Sequence, residues 1–295
     1  MQHRNRHAYL LWLLPLLFML AAFYAYPVID LIRLSFTNAS FLQPTLRYGL
    51  SSYASIFRDP DFLNTVWITL IFVFFSVILQ IGIGFLLALM FDASSRLRLF
   101  GTVAARTSVL IGWAIPGVII GIIWNLMFVE TRSGILTYGL AQLGIGPVPF
   151  LSDPNVALGA AILANVWRGT AFSMILQYSA LQTVPAELTE AARIDGASPV
   201  GVITRVVLPY ILPIVMINLV LATINTFNTF DLIIALTKGG PGRATEVLAM
   251  SIYNNVFQNL SLGRGAAIAV VLLLLNAVMA VGYYRLLKRQ GGGDL

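Results

Sequence analysis

The 295-residue chain has no cysteine, which excludes disulfides and thiolate metal sites. Charge is scarce as well. Asp, Glu, Lys and Arg make up 10% of the residues, where a soluble domain carries about 25%, so most of the surface must face something apolar. The two histidines, His3 and His7, sit in a basic N-terminal tail and read as solvated groups rather than ligands, and no His/Glu zinc pattern occurs. No Gly-x4-Gly-Lys-Ser/Thr run cradles a phosphate. The glycine-rich stretch Lys238–Gly242 contains Pro241, which lacks an N–H, and has no Ser or Thr after its lysine, so it reads as an exposed turn. No catalytic constellation is found, so no catalytic residue, metal ligand or bound cofactor is expected.

What is present is apolar sequence, 58% of the chain. Spanning a bilayer takes about 20 predominantly apolar residues as a helix. Six runs qualify: Ala8–Ile32, Asn64–Phe91, Thr107–Val129, Val156–Leu181, Tyr210–Leu236 and Gly265–Leu287. None alternates with period two, which argues against a β-barrel. Pro15, Pro116 and Pro213 lie inside or near these runs, where neighbouring helices can satisfy the carbonyls a proline frees. The first run follows Arg4 and Arg6 as a signal peptide would, but it is too long for one and lacks an Ala-x-Ala cleavage site. The expected fold is all-α, a single membrane domain over residues 1–295 with six spans.

Lys and Arg in short loops set orientation. One side carries ten: Arg4, Arg6, Arg96, Arg98, Arg106, Arg193, Arg205, Arg285, Lys288 and Arg289. The other carries seven: Arg33, Arg47, Arg58, Arg132, Lys238, Arg243 and Arg264. Both termini are therefore expected in the cytoplasm, with loops 33–63, 130–155 and 237–264 outside.

The cytoplasmic loop 182–209 has its own local grammar. Pro185 opens a helix, Ala186–Asp195 are good helix formers, and Gly196 suits the position just past its end. Ser198 and Pro199 read as N-cap and first residue of a second helix, which Leu208-Pro209 is expected to break. Ala191 and Ala192 keep one surface small, while Glu187, Glu190 and Asp195 place acid on a basic side. By itself the segment is also compatible with an ordinary amphipathic connector.

The same segment resembles the signature of ATP-binding-cassette importer permeases: Glu190-Ala191-Ala192, three residues, Gly196, nine residues, then Val206-Val207-Leu208-Pro209, with Val206 where the pattern has isoleucine. Asp195-Gly196-Ala197-Ser198 is similar to the carbohydrate-uptake branch. So are Tyr26-Pro27 with Ser35-Phe36, Asn165-x-Trp167-x-Gly169, Leu236-Thr237-x-Gly239-Gly240-Pro241, and Tyr253 and Phe257 before Gly263. The resemblance implies a type I importer permease fold in which 182–209 carries a coupling helix docked on a separate ATPase, with Glu190, Ala191, Ala192, Asp195, Gly196, Leu208 and Pro209 as the coupling residues. It implies a second, related permease, a pair of ATPase chains that bind the ATP and Mg, an external substrate-binding protein, and a place in the cytoplasmic membrane of a bacterium or archaeon.

Polar residues inside the spans form a seam. Asn165, Arg168, Gly169 and Phe172 fall at i, i+3, i+4 and i+7 of the fourth span. Arginine at the centre of a span is unfavourable by about 2.5–3.5 kcal/mol on insertion scales, so Arg168 must face the bundle interior or a wet cavity and have a partner. The fifth span adds Asn218, Asn225, Thr226, Asn228, Thr229 and Asp231, and the third offers Trp113 and Gly117. Such amides and hydroxyls also join helices. The small-residue spacing Gly117–Gly121 and the pair Gly82, Gly84 read as packing.

Aligned on the loop signature, Trp113, Gly117, Asn165, Arg168, Gly169, Phe172, Asn225, Thr226 and Thr229 resemble the carbohydrate-contacting positions of maltose-type permeases. Ala171 departs from a proline common in relatives, and Arg168 is charged where the maltose type is apolar. Arg168 suits an anion such as glycerol 3-phosphate, a bridge between sugar hydroxyls, or a gate. An ion-coupled secondary transporter would leave the loop signature without purpose and usually shows an internal repeat, which is not evident. A membrane enzyme would need the clustered acids or histidines that are missing.

Overall fold

The computed structural model describes residues 8–42 and 46–290. The expectations resting on His3, Arg4, Arg6 and His7 lie outside the described residues. Among those described, the chain is helix with loops, and the sole strand-like feature is an isolated antiparallel bridge between Thr37 and Tyr48. Helices suit lipid because each backbone donor and acceptor is satisfied within the segment.

In chain order the helices are α1 (Ala8–Leu20), α2 (Tyr26–Ser35), α3 (Ser51–Phe57), α4 (Pro60–Arg96), α5 (Thr102–Ala114), α6 (Gly117–Met127), α7 (Ile135–Gln142), α8 (Pro154–Leu181), α9 (Ala186–Ile194), α10 (Pro199–Val202), α11 (Leu208–Phe227), α12 (Asp231–Leu236), α13 (Leu248–Tyr253) and α14 (Leu262–Gln290). Among the described residues, four helical stretches are long and apolar enough to cross a membrane: Trp12–Ser35, Pro60–Arg96, Pro199–Phe227 and Leu262–Leu286. A fifth crossing follows if α5 and α6, bent by 101°, act as one. The remaining expected span, Val156–Leu181, is helical throughout as part of the 28-residue α8. Its polar residues keep it outside the apolar set, and it buries a long face including Asn165, Ser173 and Gln177.

Three boundaries differ from the sequence reading. The expected third span Thr107–Val129 is two helices, because Ile115 turns extended before Pro116, the conformation a following proline enforces. The expected fifth span Tyr210–Leu236 stops at Phe227, and Asn228–Phe230 turn the chain into α12. Leu208-Pro209 does not break a helix. A π-helical turn, Ile203–Val207, widens the backbone, with the Leu208 N–H donating to the Ile203 carbonyl, and the helix continues into α11. The same device, Ala21–Ala25, precedes Pro27 and joins α1 to α2. In both places the wide turn relieves the clash between the proline ring and the carbonyl four residues back.

By its internal contacts the chain divides into two units. One comprises the chain up to Leu63 together with Ser251–Leu274. Within it, Ser52 Oγ donates to the Thr37 carbonyl (2.6 Å), the Gly263 N–H to the Ala39 carbonyl (2.8 Å), and Arg264 pairs with Asp59. Gly263 is obligatory at this crossing, since a Cβ would fall 2.2 Å from the Thr37 carbonyl oxygen.

The other unit comprises Asn64–Met250 and the chain from Leu275. Here α8 begins with Asp153 as N-cap, its carboxylate accepting from the N–H groups of Asn155 and Val156, and with Pro154 in the first turn. Glu130, just after α6, accepts from Ser152 Oγ (2.7 Å) and from the N–H groups of Leu151 and Ser152 (2.8 Å each). The Ser152 hydroxyl first, then the two amides, hold its carboxyl below the usual glutamate range. α12 lies on α6: a Cβ at Gly121 would meet Ala235 and the Leu232 carbonyl at 2.7 Å, and Asn125 Nδ2 donates to the Leu236 carbonyl (2.7 Å). Gly117, Gly121 and Asn125, spaced by four, thus form one packing face.

Candidate functional site

Within the second unit, a cavity of about 420 Å³ opens where α4, α5, α8, α11 and α12 meet. From α8 come Asn165, Arg168, Gly169 and Phe172, and from the end of α11 and its turn come Asn225, Thr226 and Thr229. Trp113, at the end of α5, stacks on Phe172 with ring centroids 5.6 Å apart and planes 25° apart. Eight of the nine expected positions therefore line one cavity. The ninth, Gly117, lies behind it, against the side chains of Asp231 and Arg168.

Asn165 is 4% exposed, and its Nδ2 has no hydrogen-bond partner among the described residues. Its backbone carbonyl accepts from Gln80 Nε2 (3.2 Å), and the Gln80 amide reaches it across Gly169, where a Cβ would stand 2.3 Å from that amide. Arg168 Nη1 donates to Asp231 Oδ1 at 3.2 Å, both side chains being about a third exposed. Thr229 Oγ1 donates to the Asn225 carbonyl (3.1 Å) and Asn228 Nδ2 to the Ile224 carbonyl (2.8 Å), fixing the turn after α11. The cavity thus offers aromatic surface beside amides, hydroxyls and an ion pair. Gln80 and Phe230 also line it and were not among the expected positions, and Asn228 and Asp231, members of the fifth run's polar seam, line it as well. The signal for Gln80 was a lone amide inside an apolar run, and for Asp231 an acid in one run facing an arginine in another.

A larger cavity, about 610 Å³, lies among α4, α11 and α14, walled by Trp67, Phe74, Phe227, Met279 and other apolar side chains. With so few polar groups it cannot orient a polar solute.

The expected coupling residues fall on α9 and its surroundings. α9 ends in a Schellman turn: the Gly196 N–H donates to the Arg193 carbonyl and the Ala197 N–H to the Ala192 carbonyl, with Gly196 at φ +82°. Ser198 Oγ accepts from the Gly201 N–H (3.2 Å) and caps the next helix. Glu187, Glu190, Ala191 and Ile194 lie along one exposed face of α9, Ile194 being 85% exposed. Ala191 and Ala192 do not share a surface: Ala191 points out, while Ala192 packs on a buried cluster containing Ala88, Met174, Leu181, Val202, Val207 and Ile211. Asp195 and Pro209 are exposed and Leu208 half-buried. Beside them Asp92 accepts from Arg96 Nε (2.8 Å) and Gln182 Nε2 (2.7 Å), joining α4 to the end of α8.

The sequence profile of the family described as "Binding-protein-dependent transport system inner membrane component" matches residues 80–291. The chain belongs to this family. It is a multi-pass membrane component of such a transport system, as the resemblance implied. Among relatives, the sulfoquinovosyl glycerol transport system permease protein of Agrobacterium fabrum is 33% identical over 284 residues, 94% of this chain and 89% of that protein. The trehalose/maltose transport system permease protein of Thermococcus litoralis is 32% identical, covering 97% and 95%. The sn-glycerol-3-phosphate transport system permease protein of Brucella suis is 31% identical, covering 94% of each. Among solved structures, a chain of a bacterial alginate transporter, crystallised with an alginate pentasaccharide-bound periplasmic protein, superposes with a TM-score of 0.82 at 23% identity, over 99% of this chain and 98% of that one. This places the fold among ATP-binding-cassette permeases.

Proposed function

We propose that this chain is the permease subunit of an ATP-driven importer of sugars, that its substrate passes through the cavity at Trp113, Asn165, Arg168, Phe172, Asn225, Thr226 and Thr229, and that α9 is its coupling helix. The observation that carries the reading is the cavity itself. Stacked Trp113 and Phe172 offer an apolar face suited to a sugar ring, and Asn165 offers a buried donor with no partner among the described residues. The relative named for trehalose/maltose supports a sugar cargo.

On this reading residues 1–295 act as one permease domain with six spans and both termini in the cytoplasm. The exposed face Glu187–Glu190–Ile194 docks on an ATPase pair that binds ATP and Mg. A second permease, an external binding protein and membrane lipids complete the assembly, and this subunit itself catalyses nothing. Ala192 and Ala197 pack on the cluster shared by α4, α8 and α11, so motion of α9 would reach the helices that wall the cavity. Alternating access of this kind requires differential contacts in two states.

The test replaces Asn165 and Thr229 by leucine in the assembled transporter and measures uptake together with ATP hydrolysis. Uptake should fall at least about tenfold, as when a site built for hydroxyls loses its hydrogen-bonding groups. Unchanged uptake in the double variant removes this cavity from the path.

A further inference from the structure

We infer that the cavity admits uncharged, polyhydroxylated sugars in preference to their phosphorylated or sulfonated counterparts, and that Asp231 is the residue that sets this preference. The inference rests on the cavity being the sugar's path.

Among the described residues, Arg168 and Asp231 are the only formally charged ones lining the cavity, and they bond to each other. Alone, Arg168 would be a receptor for a phosphate or sulfonate. Asp231 already fills that role, and it is anchored on several sides. It is the first residue of α12, and its Oδ1 accepts from the Leu232 N–H (2.9 Å) as well as from Arg168. Its Oδ2 lies against the bare α-carbon of Gly117, the first residue of α6, and a helix N-terminus favours negative charge. A side chain at 117 would displace the carboxylate, since a Cβ there falls 1.9 Å from Oδ2.

An anion brought to Arg168 would therefore stand beside a fixed carboxylate, and like-charge juxtaposition is how sites reject wrong partners. A sugar hydroxyl meets no such obstacle. It can accept from a guanidinium N–H and donate to the carboxylate, and both groups are open enough to be reached, at 29% and 33% exposure. The remaining polar lining, Asn165, Asn225, Thr226 and Thr229, is uncharged and suits hydroxyls equally.

The test uses the full chain in lipid nanodiscs and saturation-transfer NMR, with three matched pairs as probes: glucose and glucose 6-phosphate, maltose and maltose 1-phosphate, trehalose and trehalose 6-phosphate. The wild type should bind a neutral member at least about tenfold more tightly than its phosphorylated partner. Asp231→Asn should shrink or reverse that ratio by a similar factor, and the double variant Arg168→Gln/Asp231→Asn, again without net charge, should restore the neutral preference. If Asp231→Asn does not assemble, the wild-type ratio and the double variant still decide. A wild type that binds the phosphorylated member as well or better, or an Asp231→Asn ratio equal to wild type, overturns this inference while leaving the cavity reading intact, provided Asn165→Leu abolishes the binding seen. Binding of none of the six sugars, or binding indifferent to Asn165→Leu, overturns both.

Discussion

Asn165 and Glu130 are two side chains whose settings are opposite. The Asn165 amide is buried with its donor unused, a state that costs about 1–3 kcal/mol unless a ligand or water satisfies it. The Glu130 carboxylate is fully used, holding Leu151 and Ser152 at the start of α8. Because its folded-state pKa is depressed, its stabilisation is present in full above the ordinary glutamate value and is lost as pH falls through the lower folded one. Thermal unfolding of wild type and Glu130→Gln, followed from neutral pH down to about pH 3, should therefore differ at neutral pH, with the gap closing on the acid side. A gap independent of pH would show that the carboxylate charge is not what holds the loop. At this scale the sequence was legible where a residue's role is fixed by immediate neighbours, as with Gly196 past a helix end or Ser198 and Pro199 at a helix start. The partner of Arg168 was not, because Asp231 lies 63 residues away and only the closure of α8 on α12 brings them together.

α9 is the element on which transport should depend without touching cargo. Gly196→Val forces a β-branched side chain into left-handed backbone, a cost of about 1–2 kcal/mol, and should loosen the turn that tethers α9 to its neighbours. ATP hydrolysis should then proceed with reduced uptake. Glu190→Lys, on the exposed face, should leave the chain inserted at normal levels but lower recovery of ATPase activity on co-purification, and full recovery would count against docking there. Element ends were the least readable feature. Apolar residues resume at Leu232–Leu236, so the polar Asn228, Thr229 and Asp231 read as a seam within one span, whereas α11 ends at Phe227 just before them. Prolines misled in both directions, since Pro116 ends a helix and Pro209 does not, the difference being the π turn that precedes Pro209.

For the whole molecule, composition alone indicated a membrane protein, and the loop signature indicated its family, because both are properties of the chain rather than of its packing. The proposed orientation, with both termini in the cytoplasm, rests on the ten-to-seven division of Lys and Arg and has a direct check. With no native cysteine, single replacements such as Ser198→Cys and Ser133→Cys report sidedness without background. In intact cells a membrane-impermeant maleimide should label position 133 and spare position 198 until the membrane is opened. The reverse pattern would invert the topology and remove α9 from the ATPase.

Trp113 is the penultimate residue of the arm before the Ile115–Pro116 corner, and Gly117 is the first residue of the arm after it. The aromatic wall of the chamber and the backing of its ion pair therefore hang from opposite sides of one elbow. Flexing that joint by a few degrees would carry the ring toward or away from Arg168 and Asp231 while α12 stays seated on Gly121, changing the width of the cavity without rebuilding its electrostatics.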